Sequence, residues 1–546
     1  MSDYDAIITG AGAGRCIVAG ILAEAGWRVL LLERGKLLSN AEIGRDHLRN
    51  QRLSLYGHNV GPDVVGNPRV FVDTSGRERV VAPNDGAYSN NAATVGGGTR
   101  VYGGQAWRFL PDDFRMASKY GVPEGSFLAD WPITYDELAP DYERAEWEIG
   151  VCGEHEGNRF QGPRSRPYPL PPIPPSANGR ALRRGAGALG WSVFSPPQLI
   201  NTVPYLGRAA CVHCKYCVGF YCPSNAKNGT WNTLLPRALA SGNCELVTGA
   251  MIERIDTDSQ GNAVGVTYFA EENGSLRRVS VTAKHVVCAS GAVETARLLL
   301  NSASGKHPDG LGNENDLVGR NLQGHYYAGA HGLMEESVYD GIGPGASTAT
   351  CEFSHDNAGI IGGGMMDDDY IVLPFHFWRG HLAPGTPRWG MENKRYMREN
   401  YVRTIHAMGP IQEITSPTAR VSIDSAVRDR FGIPVVRLSG ATHPESVRTF
   451  DFMSERAEEW LRASGAVKTW RHQTGLSLSG GQHQAGTCRM GTDPQTSVTD
   501  KWGRVHAHDN LHIVDASLHV TNGGFNPVLT IMALAFRVSG NLAASS

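Results

Sequence analysis

The sequence predicts an α/β protein: a parallel sheet of the nucleotide-binding type, joined to a second half of mixed sheet and helix. Three observations predict it. Residues 5–34 run strand, glycine turn, helix, strand; KHVVCASGAVETARLLLNS (284–302) repeats strand, small-residue turn and helix; and 546 residues exceed one core of ordinary size. Two domains, or one large domain with a cap, follow.

Taken in order, DAIIT (5–9) is a short apolar strand, GAGAGRCIVAGILAEAG (10–26) a glycine turn and helix, and WRVLLLERG (27–35) a second strand. Together they form a β-α-β unit. After a polar, irregular stretch, NAATVGGGTRVYGGQAW (91–107) carries glycines that suggest backbone pressed against another group. WPITYDELAPDYERAEWEIG (131–150) reads as helix after its prolines, and PRSRPYPLPPIPPSANG (163–179) as an extended surface connection. CELVTGAMIERIDTDSQGNAVGVTYF (244–269) has the pattern of hairpin strands. Residues from about 345 to 475 mix strands with the helical run SVRTFDFMSERAEEWLRASG (446–465), enough for a separate half. NLHIVDASLHV (510–520) reads as a strand, and NPVLTIMALAFRVSGNL (526–542) closes the chain as a helix with Pro527 in its first turn. No internal repeat is visible.

Composition narrows the partners. Fifty-one basic against 54 acidic residues give a net charge of -3, which offers no field for nucleic acid or an anionic membrane surface. A small-molecule partner is expected. No apolar run approaches the length that crosses a bilayer, and the start MSDYDAIITG enters a strand pattern at once, so no export signal and a cytoplasmic location are expected. Export to the periplasm with a signal-bearing partner subunit is the alternative. Of ten cysteines, Cys16, Cys152, Cys244, Cys288, Cys351 and Cys488 are dispersed, as buried thiols in a reducing compartment are.

Chemistry concentrates in three motifs. In GAGAGR, Gly10 and Gly12 allow a tight turn and close approach of backbone to a pyrophosphate on the following helix N-terminus. Gly14 and Arg34 adjoin the same site. Glu33, twenty-three residues after Gly10 at the end of the second strand, is placed to accept hydrogen bonds from a ribose. The third fingerprint position is Arg15 instead of glycine, so its side chain must turn outward or push helix and strand apart at some cost in affinity. Near the C-terminus, GGQHQAGTCRMG (480–491) sets His483 among small residues, where it could be a packed core residue, a metal ligand or a base. Cys211, Cys214, Cys217 and Cys222 are bunched in CVHCKYCVGFYCP (211–223), dense enough for an iron–sulfur cluster or zinc, with a loop packed on the nucleotide domain as the other reading. His506, His508, His512 and His519 lack a cysteine or glutamate at a zinc spacing and read as surface and strand residues.

GAGAG…LLERG, GGGTRVYGG, SGAVETARLLLNS with VGRNLQGH (318–325), HQAGTCRMG and NLHIVDASLHVTNGGFNPVLTIMALA together resemble the glucose-methanol-choline (GMC) oxidoreductases over nearly the whole chain. The resemblance implies the GMC two-domain fold: a discontinuous Rossmann-like FAD-binding domain (1–115, 205–330 and 478–546) and a mixed-sheet substrate-binding domain with connections (116–204 and 331–477). It implies FAD contacts at Gly97, Gly98, Gly103, Gly104, Asp515, Ala516, Asn526, Pro527 and Val528. By the same likeness His483 matches the family's base and Asn526 its partner, which in other members is a second histidine. A neutral imidazole suits removal of a hydroxyl proton as hydride leaves, and the carboxamide can hold the alcohol oxygen. The final helix N-terminus can face the flavin and favour negative charge there.

Some members bind FAD covalently through a histidine in the central glycine motif; VGGGTRVYGG has none, with Val101 near that place, so dissociable flavin is expected. Some multi-subunit sugar dehydrogenases of the family carry a cluster that passes electrons to a cytochrome partner, so an electron-accepting or small signal-bearing subunit is an expected partner. The substrate expected is an alcohol group of a sugar, glycoside or polyol, with a non-oxygen acceptor. An oxidase producing hydrogen peroxide, a non-redox lyase and a flavin-binding module on the same fold are the alternatives. Gln482, His376 and Trp378 are candidate wall residues, although FHFW (375–378) also suits a core.

Overall fold

The run VLLLE has no polar side chain before its last position, the pattern of a strand covered on both faces, and Val29–Glu33 is buried throughout in the computed structural model. The structure describes residues 2–43, 60–89, 92–156, 158–272, 275–369, 372–479 and 482–545. Asn91, Gly480 and Gly481 of the quoted motifs lie outside them.

Strand Val29–Glu33 pairs in parallel with Tyr4–Thr9 on one side and Cys244–Thr248 on the other. Tyr4–Thr9 pairs in turn with the far half of the long strand Ser275–Cys288, and Leu511–Ile513 adds a parallel strand beyond it. The near half of Ser275–Cys288 instead pairs antiparallel with Ala263–Glu272, which pairs with Met251–Thr257. One fourteen-residue strand therefore serves both a buried parallel sheet and an exposed hairpin. Helix Arg15–Glu24 packs against Leu234–Ala240 and the C-terminal helix Val528–Ala544. That last helix, nearly all apolar, is buried because it lies between Arg15–Glu24 and Tyr135–Ala145.

A second sheet of five strands is antiparallel in the pairings from Ala349–Thr350 through Met366–Asp367, Thr404–Pro410 and Tyr327–Leu333 to Lys468–Arg471. Helix Pro444–Ala463 crosses it and packs on Ala177–Leu189. The seam is a separate core around Trp460, whose indole donates to Leu182 O at 2.8 Å. A third sheet joins Arg69–Val72 and Glu78–Val81 to Arg420–Arg428 and Pro434–Ser439. It draws strands from the two ends of the chain together. Among the described residues no helix is long and apolar enough to cross a membrane.

Three elements differ from expectation. The helix in 131–150 spans Tyr135–Ala145 and contains Pro140, because Thr134 and Glu137 form a capping box that starts it upstream of the proline, and Tyr135, Leu138 and Tyr142 bury its inner face. Strand 510–520 is only Leu511–Ile513. Asp515 stops it by accepting from Ser517 N and starting a 3-10 turn, Ala516–Leu518. Finally, His508 and His519 are buried, not on the surface, while His512 sits in strand Leu511–Ile513, as a strand residue should, and is buried there.

Buried histidines make stability depend on pH. Burial pulls the imidazoles of His325, His512 and His519 down to about 4. The fold thus prefers the neutral rings, so their contribution is complete above the ordinary histidine value of about 6.5 and is lost as pH falls toward 4. His512 isolates one such group. We expect His512→Leu to gain stability relative to wild type as pH drops from 6.5 to 4.5, read as the difference in thermal midpoint; a difference that stays constant with pH would show that the ring is not held neutral.

Candidate active site

Stretches from both ends of the chain and its middle enclose one cavity of about 920 Å³, at the large end of the roughly 300–1,000 Å³ of small-molecule sites. Gly10, Gly12, Gly14, Glu33 and Arg34 line it from the N-terminal unit, and Gly97, Gly98, Gly103 and Gly104 from the glycine segment. His483, Asp515, Ala516, Asn526, Pro527 and Val528 complete the wall from the tail. Gln482 and His376 line it too. Trp378 lies outside it and donates to Arg388 O, while Phe377 is core.

The glycine turn holds the first departure from the sequence reading. Arg15 turns neither outward nor between helix and strand: it folds back over the turn. Its Nη1 stands 2.8 and 2.7 Å from where a Cβ on Gly10 and Gly12 would be, which is the bare face the fingerprint keeps open for a pyrophosphate. Burial lowers its guanidinium's pKa against the pull of Asp515 and Glu33. Its Nε is buried without a hydrogen-bond partner. The expected clash is thus moved from the helix–strand contact into the cradle itself.

Glu33 fastens the turn to the strand end, accepting from Ala11 N at 2.7 Å and Gly35 N at 2.8 Å. Against the same turn lies the central glycine segment. Gly96 N donates to Ala11 O at 2.6 Å, and a Cβ on Gly97 would come within 3.2 Å of Gly12 Cα. Gly96 and Gly97 have φ of 95° and 54°, a region that glycine enters at little cost. Beside this end of the cavity sits an ion cluster that the sequence reading missed. Glu294 meets Arg69 at 2.5 Å, Arg34 at 3.4 Å and Arg297 at 3.4 Å, and Arg297 also meets Asp429 at 2.7 Å. Burial would raise the Glu294 carboxyl, but the three guanidiniums outweigh it and hold it far below the usual range.

At the other end, the tail brings His483 and Asn526 to one residue, Tyr327. Asn526 Nδ2 donates to Tyr327 Oη at 3.0 Å, and the Tyr327 and His483 rings lie 6.1 Å apart. The Asn526 Oδ1 is buried without a partner. His483 has φ of 58°, unusual for a residue with a side chain and a mark of a conformation imposed from outside. Asn522 Nδ2 imposes part of it by donating to His483 O at 2.8 Å.

His325, present in VGRNLQGH but given no role from sequence, orders the ring. Its Nε2 lies 2.8 Å from Gly523 O and its Nδ1 2.8 Å from His483 Nδ1. A carbonyl only accepts, so His325 Nε2 carries the proton. Burial holds the ring neutral by bringing its pKa down to about 4, so its Nδ1 is a lone pair. His483 Nδ1 must then donate, which leaves the lone pair on His483 Nε2.

The bunched cysteines form an irregular wall. Val218, Gly219 and Phe220 line the cavity, and Gly219 N donates to Val101 O at 2.7 Å. Lys227 braces the loop by donating to Tyr102 O, Cys217 O and Phe220 O, its ammonium drawn down to about 8 by burial. Cys211, Cys214, Cys217 and Cys222 are free thiols, and burial pushes Cys217 up to about 12. Among the described residues, no three of their sulfurs come within 4.8 Å of one another as a mononuclear metal site requires. The loop's backbone thus walls the cavity beside the glycine segment.

Two sequence-family models, both described as GMC oxidoreductase, match residues 168–327 and 415–535. The chain is 32% identical to 2-methyl-1,2-propanediol dehydrogenase of Mycolicibacterium austroafricanum, over 98% of this chain and 94% of that one. It is 31% identical to paromamine 6'-oxidase of Streptomyces fradiae, over 99% and 92%. The solved structure of pyridoxine 4-oxidase from Mesorbium loti superposes with a TM-score of 0.64 at 18% identity, covering 98% of each chain, and shows the same fold. The chain belongs to the GMC oxidoreductase family and is an FAD-dependent enzyme that oxidises an alcohol.

The cavity fits FAD in its glycine cradle, in the orphaned Asn526 oxygen and in the open space over Gly98, where a Cβ would meet nothing within 4 Å. Arg15 stands in that cradle. We expect Arg15→Gly to bind FAD about ten-fold or more tightly, on the scale of 1.4 kcal/mol per decade, measured by quenching of flavin fluorescence on titration of the apoprotein. Equal or weaker binding by the variant would show that the guanidinium pairs with phosphate instead of displacing it.

Proposed function

We propose that the enzyme oxidises an alcohol group of a polyol, sugar or glycoside with His483 as the base, passing electrons to an acceptor other than oxygen. The hydrogen bond from His483 Nδ1 to His325 carries this reading, because it leaves Nε2 as the proton-accepting nitrogen on a ring that lines the cavity. Bound FAD supplies the hydride acceptor, through its N5. His325 keeps the His483 tautomer fixed across the physiological range, since its own ring stays neutral far below pH 7.

Asn526 positions the alcohol oxygen. One end of its amide is held by Tyr327 and the other is unbound. Turned end for end, the amide accepts the Tyr327 hydroxyl and offers Nδ2 to the oxygen. The N-terminus of helix Val528–Ala544 meets the same cavity at Pro527 and Val528, so its dipole favours negative charge there. Gln482, Gln473, Thr474 and His376 give the outer wall polar groups suited to further hydroxyls, and a relative named for a diol supports a polyhydroxylated substrate. With Val101 in the cavity wall and no histidine in VGGGTRVYGG, FAD is held without a covalent bond. We assign cofactor binding to 1–115, 205–330 and 478–546, and substrate binding with its connections to 116–204 and 331–477. The relatives include both a dehydrogenase and an oxidase, so the oxidase is the second reading.

Under anaerobic conditions, substrate should bleach the flavin, and His483→Ala should slow that step about 10²- to 10⁴-fold with FAD content unchanged. An unaltered rate would overturn the assignment of the base. Turnover that needs an artificial acceptor and yields no peroxide in air supports the dehydrogenase; stoichiometric peroxide supports the oxidase.

A further inference from the structure

We infer that His307, Glu314 and His508 form a metal site for zinc or a similar divalent transition ion, apart from the flavin cavity. His508 was read from sequence as lacking ligand partners because they lie about two hundred residues upstream, in the loop that follows helix Ala292–Asn301. One ligand atom from each of the three residues lies within 4.8 Å of the other two. No other such group occurs among the described residues.

The hydrogen bonds of His307 call for a cation. Its Nε2 lies 3.2 Å from Gly261 O and its Nδ1 2.9 Å from Glu314 Oε1. The carbonyl only accepts, so Nε2 carries the proton, and a neutral ring then turns its Nδ1 lone pair toward a carboxylate oxygen. Two lone pairs at that distance repel unless a positive charge joins them. A proton on Nδ1 would serve for those two groups. It would leave the third unexplained: His508 is 3% exposed, its ring lies 4.8 Å from that of His307, and its Nε2 has no hydrogen-bond partner. A buried imidazole nitrogen left unpaired is costly, and a metal ion satisfies it together with the other two.

Two imidazoles and one carboxylate select a borderline-soft ion such as Zn²⁺ over Mg²⁺ or Ca²⁺, which prefer oxygen. Bonds of about 2.0–2.2 Å require the ligands to draw closer than 4.8 Å. The Glu314 side chain, 51% exposed, is free to supply that movement, and its open side leaves room for water as fourth ligand. A bound ion would tie three loops together: the one after Ala292–Asn301, the one before Leu511–Ile513 and the hairpin turn at Gly261. Its role is structural, and it does not depend on the assignment of His483.

The test uses the full chain, stripped with chelator and titrated with ZnCl₂ at pH 7.5 by calorimetry, with metal counted after gel filtration. The inference expects one zinc per chain at saturation and a higher thermal midpoint with zinc. Glu314→Ala should weaken binding about ten-fold or more and abolish the thermal shift, and His508→Asn should do the same. Because His508 is buried and its variant can fail to fold, Glu314→Ala, altered at an exposed side chain, decides alone if needed. Absence of saturable binding, or binding unchanged in Glu314→Ala, would overturn the inference and leave a proton between His307 and Glu314.

Discussion

The buried carboxylate of Asp515 is the joint on which the site depends. It accepts from Gly291 N at 2.8 Å, Thr295 Oγ1 at 2.6 Å, Ser517 N at 2.8 Å and Ser517 Oγ at 2.5 Å. Those donors belong to two segments more than two hundred residues apart, the turn opening helix Ala292–Asn301 and the turn ending strand Leu511–Ile513. Everything at the reactive end hangs from the second turn. Gly486 N and Cys488 N donate to Ala516 O and Ser517 O, which fixes the stretch bearing His483, and ten residues on from Ala516 the chain reaches Asn526. Without the carboxylate, four donors would be left buried and the tail would lose its register against the parallel sheet.

The cavity carries its own record of what it takes. Native proteins seldom leave buried polar atoms unpaired, yet Asn526 Oδ1 at the tail of this cavity is left so. A dinucleotide's redox ring belongs there, and its phosphates against the glycine turn that Arg15 overlies. The ion cluster of Glu294, Arg34, Arg69 and Arg297 stands near the end that Glu33 lines. Charge, glycine and the orphaned Asn526 oxygen thus mark one cofactor along its length.

How much of this was legible follows from where each constraint resides. The turn at Gly10, the close approach at Gly97 and the proline-started final helix are local requirements, readable as residue types at fixed spacing. The family motifs supplied His483 and Asn526. His325 was not legible as a partner, because its bond to His483 spans 158 residues and needs the folded tail. Arg15 was legible as an anomaly but not in its direction, since an arginine at a helix start can reach several ways. Glu294 and its arginines were hidden in the same manner, as was the pair that His508 meets. Pro140 misled because a strong upstream cap outweighs one missing helix donor.

A crystal structure of the FAD-loaded protein tests the central claim most directly. The account predicts the isoalloxazine ring between the 101–104 segment and Asn526, with the His483 and Asn526 side chains facing the same side of it at the edge bearing N5. A ring bound elsewhere in the cavity, or those two side chains on opposite faces of it, would contradict the account.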